Sequence, residues 1–143
     1  AIFKSWFIDF EPFKDEEFVY NEELGREIPK GWNVGFITEL IVFDPKENLK
    51  RDEIYPYVEM KHVSNFSMSC EYDFKKFNSS GAKFRYGDTL LARITPCLEN
   101  GKTAFVWFLN GDEVGFGSTE FIVMRGKQKI FREFTYPMFA NLI

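Results

Sequence analysis

At 143 residues, 45% of them hydrophobic, the chain has the length and composition of one folded domain with a sizeable core, which excludes disorder. No apolar run approaches the roughly 20 residues that span a bilayer, so no membrane partner is expected. The formal net charge of −4 conceals an asymmetry: residues 1–60 carry 7 Lys and Arg against 14 Asp and Glu, and residues 61–143 carry 11 against 8, so a polyanion would favour the second part.

Residues 1–10, AIFKSWFIDF, place Ile2, Phe3, Trp6, Phe7 and Phe10 at helical spacings, the pattern of the end of an amphipathic helix. Pro12 and the run Asp15-Glu16-Glu17 end it, and 15–31 reads as a linker closing on Pro29-Lys30-Gly31. A short aromatic stripe has no core of its own, so Phe3, Trp6, Phe7 and Phe10 are expected against a partner helix. The apolar stretch from Trp32 to Phe43 fits a short helix or a strand, and the charged residues 44–53 fit a loop. Tyr55 to Val63 alternates in part and predicts a strand; 64–81 is mostly loop around a possible strand at 69–74.

Residues 88–95, 102–109 and 113–124 are β-rich and separated by Asn100-Gly101 and Asn110-Gly111. Asn-Gly favours two-residue hairpins because both residues tolerate positive φ, so the pattern predicts a three-stranded antiparallel meander. From Lys129 to Ile143, helical spacing recurs at Ile130, Phe131, Phe134, Met138 and Phe139, with Pro137 against it.

Chemistry-bearing residues are sparse. Cys70 and Cys97 form no C-x-x-C pair and read as reduced thiols of a cytoplasmic protein; with the single His62 they make neither a zinc site nor a nucleophilic triad. Glu59-Met60-Lys61 has acid-x-Lys spacing, which puts both side chains on one face of a strand. With Asp44 as a second carboxylate for Mg2+, it defines a nuclease alternative. The other candidate is a binding surface. Arg93 and Thr95 share a strand face, Pro96 bends the strand, and Glu99, Asn100 and Lys102 are displayed at an edge. Ser118-Thr119-Glu120 follows the second turn. Such side chains read base edges or grip phosphates, and Lys61, Lys83 and Arg85 add cationic candidates.

The run 87–102, GDTLLARITPCLENGK, resembles the signature of target-recognition domains in type I restriction-modification specificity subunits, as does 117–123, GSTEFIV. Three further segments agree: 28–32 (IPKGW), 57–60 (YVEM) and 3–13 (FKSWFIDFEPF), the last similar to the end of a spacer helix. The resemblance implies an α+β fold, a curved, mainly antiparallel β body with short helices and an N-terminal helical spacer tail. Residues 1–14 would be the end of that spacer, 15–31 a linker and 32–143 the recognition domain, with the following spacer truncated or absent.

Functionally, the resemblance implies a non-catalytic subunit that reads half of a split site in double-stranded DNA. Its partners would be modification and restriction subunits and a second recognition domain of the same subunit. S-adenosylmethionine, ATP and Mg2+ would serve those partners, and this chain would hold no cofactor. Arg93 and Lys102 are the leading candidates for DNA contact, followed by Thr95, Asn100 and Ser118, then Lys61, Lys83 and Arg85. Glu99 and Glu120 would orient those cations or the turn backbone.

Overall fold

The computed structural model describes residues 2–141 and divides the chain into two compact units, Ala1–Glu39 and Leu40–Ile143. In the first unit, helix α1 (Ile2–Phe7) is followed by Phe10 in the left-handed region and a 3-10 turn at Glu11–Phe13. The segment expected to be a linker instead forms an antiparallel hairpin, β1 (Phe18–Asn21) with β2 (Arg26–Pro29). Its turn closes through the Leu24 N–H, which donates to Asn21 Oδ1 at 3.0 Å.

Trp32, just beyond this hairpin, gives part of the aromatic stripe a partner within its own unit. The Trp32 ring lies 5.3 Å from Phe10, 5.1 Å from Phe13 and 6.2 Å from Phe7, and Phe10 is only 6% exposed. Arg26 caps the cluster, its guanidinium 4.9 Å from the Phe10 ring centre. Trp6 remains 47% exposed.

The second unit holds two four-stranded sheets. After the one-turn helix α2 (Ile37–Leu40), the elements are β3 (Ile41–Phe43), β4 (Ile54–Val58), a 3-10 turn (Met60–His62), β5 (Asp73–Lys76) and β6 (Ala82–Phe84). They continue as β7 (Thr89–Ala92), β8 (Thr103–Phe105), β9 (Gly115–Gly117), β10 (Phe121–Gly126) and helix α3 (Lys129–Ala140). Strand order is β3-β10-β7-β8 in one sheet and β5-β4-β9-β6 in the other; every pairing is antiparallel except β4 with β9. The fold is thus α+β with mostly antiparallel sheets and short helices.

The predicted meander is corrected. β7 and β8 do pair, Leu91 opposite Thr103, but the chain from Arg93 to Lys102 is a folded loop rather than a two-residue turn. β8 then leaves its sheet: Asn110-Gly111 turns the chain across to β9, which pairs with β4 and β6. The 113–124 run is two strands because Ser118–Glu120 turns between β9 and β10. Gly117 marks a close approach of backbones, since a Cβ there would stand 2.7 Å from the Val58 carbonyl oxygen.

Burial explains the unbroken apolar runs of β7 and β10. Leu90 and Val123 face a core shared by both sheets, with Val58, Phe84, Val106 and Phe121. Leu91 and Met124 face the opposite side, where Met138 and Phe139 of α3 cover the sheet. A strand buried on both faces needs no alternation. α3 runs through Pro137, and the side chains of Ile130 and Phe131, with residues 142–143, lie outside the described set. No described helix is long and apolar enough to cross a membrane.

Candidate nucleic-acid interface

Register brings distant segments to one end of the two sheets. β3 ends and β10 begins there, with Met124 opposite Phe43; β7 ends there, with Ala92 opposite Phe121; β8 begins there, with Thr103 opposite Leu91. The second sheet contributes the ends of the parallel strands β4 and β9, Val58 opposite Gly117, and the start of β6 at Ala82. Segments 44–48, 59–61, 79–83, 93–102 and 118–120 therefore form one rim. Lys102 and Met60 meet directly on it, Lys102 Nζ donating to the Met60 carbonyl at 2.8 Å.

A cleft of about 440 Å³ opens at this rim, with Lys46, Asn48, Lys83, Arg93 and Thr119 among its walls. Its acids are engaged. The Asp44 carboxylate accepts from the Val123 N–H at 2.9 Å and lies 3.8 Å from Arg93 Nη2. Arg93 also donates to the Phe121 carbonyl at 3.2 Å, yet stays substantially exposed. Lys83 rests 5.3 Å from the Phe77 ring centre. A second cleft, of about 250 Å³, shares Gly81 and Thr119 with the first and adds Lys75, Lys76, Asn78 and Ser118. Along it Lys75 lies 4.3 Å from the Tyr57 ring, and Tyr57 and Phe77 stand 4.7 and 5.1 Å from Phe116. These ring contacts lie beside two ammonium groups that form no ion pair within 4.0 Å among the described residues.

The sequence-predicted residues divide. Arg93, Lys83 and Ser118 line the adjoining clefts. Thr95 and Asn100 are exposed on the 93–102 loop, beyond the end of β7, so Arg93 and Thr95 do not share a strand face as expected. Lys102 is half-buried and holds the Met60 carbonyl rather than projecting from an edge. Lys61 pairs with Glu59 at 2.9 Å, which lowers the Glu59 pKa and raises that of Lys61. Glu99 is exposed, and the Glu120 carbonyl accepts from the Arg93 N–H at 2.9 Å.

Arg85 follows β6 at its far end, inside a network that sequence reasoning did not anticipate. Its guanidinium grips Glu47 in a bidentate pair, at 2.7 and 2.8 Å, and reaches Asp112 at 3.2 Å. Arg125 grips the fully buried Asp88 at 2.7 Å through both nitrogens and meets Glu47 at 2.6 Å. Burial pushes the Glu47 carboxyl upward, but hydrogen bonds and charge from Arg85 and Arg125 outweigh it and leave its pKa lowered. The network ties the loop after β3 to β10 and so fixes one wall of the cleft. Lys46, which it positions, carried no sequence signal beyond its charge.

The nuclease arrangement is not assembled. β4 ends at Val58, and Glu59 begins a 3-10 turn containing Lys61, so the acid-x-Lys pair is not on a strand face. The Asp44 carboxylate is committed to Val123 and Arg93. No group of three or more His, Cys, Asp or Glu suited to a metal ion occurs among the described residues. His62 accepts at Nδ1 from the Glu59 N–H, which places its proton on Nε2, 3.3 Å from Asp73. Cys70 is buried, and burial raises its thiol pKa to about 11, the reverse of an activated nucleophile.

No protein-family model matches the chain. Over 68 residues it is 50% identical to the type I restriction enzyme MjaIX specificity subunit of Methanocaldococcus jannaschii, covering 43% of this chain and 16% of that protein. The type I restriction enzyme EcoAI specificity subunit of Escherichia coli is 34% identical over 113 residues, covering 75% of this chain and 19% of the subunit. The EcoEI specificity subunit of the same organism is 33% identical over 112 residues, again 75% of this chain and 19% of the subunit. The chain thus spans less than a fifth of the length of the relatives it matches. Identity at this level over most of its length makes type I restriction enzyme specificity subunits the homologues of this chain.

Proposed function

We propose that the second unit of this chain binds double-stranded DNA sequence-specifically and reads one half of a bipartite target within a type I restriction-modification specificity subunit. The observation that carries the proposal is its similarity to specificity subunits across 75% of the chain. The rim supports it physically: Lys46, Lys83 and Arg93 surround a concave surface with short polar side chains between them, a pattern suited to phosphate contact with base edges nearby. On this reading the chain performs no catalysis. Modification and restriction subunits, and a second recognition domain, supply the rest of a cytoplasmic complex. S-adenosylmethionine, ATP and Mg2+ belong to those subunits. The exposed Trp6, with Phe3 on the same helix, faces a spacer helix of the intact subunit, while Phe7 and Phe10 brace the tail on Trp32.

Methylation-site mapping in cells carrying the full system tests the function. A methylated motif whose half changes when the 93–102 loop is replaced supports it; an unchanged motif overturns it. Arg93→Ala should lower the affinity of the assembled complex for duplex DNA without unfolding the domain and should reduce its salt dependence by about one phosphate contact. Mg2+-dependent plasmid cutting by the pure chain, abolished by Glu59→Ala, would return the nuclease reading.

A further inference from the structure

One residue at the rim is explained neither by the core nor by the clefts. Phe66 is 71% exposed, and its φ of 52° lies in the left-handed region, where a bulky side chain rarely sits. Its backbone is nonetheless fixed. Asn65 bridges to Lys102, and the Phe66 N–H donates to the Gly101 carbonyl at 3.1 Å. The ring lies directly over Gly101, where any Cβ would overlap it. Gly101, with φ 63°, therefore makes the turn and leaves room for the ring as well.

Burying a phenylalanine side chain is favourable, and that gain is largely forgone while this ring stands in water. Its position identifies what would cover it. Arg93 and Lys102 are the two ends of one loop: Arg93 opens on the basic cleft beside β10, and Gly101, next to Lys102, carries Phe66 on the side of β8. The same end of the sheet thus presents cations on one flank and a propped, neutral aromatic ring on the other. A phosphate backbone answers the first, and base surfaces answer the second.

We infer that Phe66 is a base-contacting residue, its ring entering a groove of the duplex and packing against the bases while Lys46, Lys83 and Arg93 hold phosphates. The inference rests on the DNA-recognition reading above and names the side chain that adds sequence preference to it. Apolar contact of this kind carries sequence information, whereas phosphate contact does not.

The test uses the specificity subunit assembled with its modification subunits and a pool of random-sequence 30-base-pair duplexes, the bound fraction being sequenced at fixed salt. Wild type should enrich one motif. Phe66→Ala should bind the pool with the same salt slope but lose roughly tenfold preference at one or two adjacent base pairs. Phe66→Trp should restore a preference, and Arg93→Ala should weaken binding to all sequences alike. If Phe66→Ala enriches the wild-type motif undiminished, this inference fails and DNA recognition stands. Unchanged enrichment with weakened assembly of the complex overturns it in favour of a protein contact. No enrichment by wild type overturns both readings.

Discussion

Asp88 shows how much one side chain contributes to this domain. It is fully buried, accepts two hydrogen bonds from Arg125 and one from the Arg85 N–H at 2.8 Å, and so uses both oxygens. Breaking such a buried pair costs about 3–5 kcal/mol, and because Arg125 keeps Glu47 at 2.6 Å the loss here falls at the lower end. Asp88→Ala should lower unfolding stability by about that amount in urea titration. Glu47 extends the network toward the surface, and its lowered pKa sets a pH window. Its contribution is complete above the ordinary value of 4.5 and is lost as pH falls through the lower folded-state value. A flatter acid limb in Glu47→Gln, measured by melting temperature against pH, is the expected result. Cys70 acts at the other extreme. Its thiol is raised from 9.0 to about 11 by burial, so stability is lost as pH climbs through that interval, and Cys70→Ala should remove that loss.

Glycine turns show at the level of elements why sequence pattern recovered some structure and not the rest. Asn100-Gly101 and Asn110-Gly111 read alike, and both glycines have positive φ. One closes the folded loop between paired strands; the other passes the chain between sheets. Local propensity reports a bend but carries no information on which strand the chain rejoins, and that pairing is decided by burial. Gly111 has open space around it, whereas Gly101 lies under Phe66. Gly111→Ala should therefore cost about 1 kcal/mol from backbone strain alone, and Gly101→Ala measurably more, by chemical denaturation. α3 was visible from its apolar spacing despite Pro137, because packing on the sheet outweighs one lost hydrogen bond. The hairpin at 18–29 was hidden, since its strands expose Val19 and Tyr20 and lack strong alternation. Arg93 and Lys83 could be picked from charge, but Lys46 and Phe66 reach the rim only through long-range register.

For the whole chain, the two units differ in charge as well as in core. Residues 1–39 hold 4 Lys and Arg against 9 Asp and Glu, and residues 40–143 hold 14 against 13, so the whole acidic excess belongs to the first unit. Both apolar clusters lie within the second unit. The fragment 40–143 should therefore unfold cooperatively by itself, and its affinity for duplex DNA at low salt should equal or exceed that of the full chain. Loss of cooperative melting in the fragment would place part of the essential core in residues 1–39.

The Arg125–Asp88–Glu47–Arg85 network has a consequence for which positions of such a domain are free to change. It secures β10, the start of β7 and the loop after β3 through buried or half-buried side chains, while Ile94, Thr95, Pro96, Glu99 and Asn100 on the rim are exposed. Substitutions at those exposed positions leave the buried ion pairs and both cores untouched. The residues exposed on the rim and the residues the fold depends on are thus different sets, so side chains displayed there can be exchanged while the scaffold stays the same.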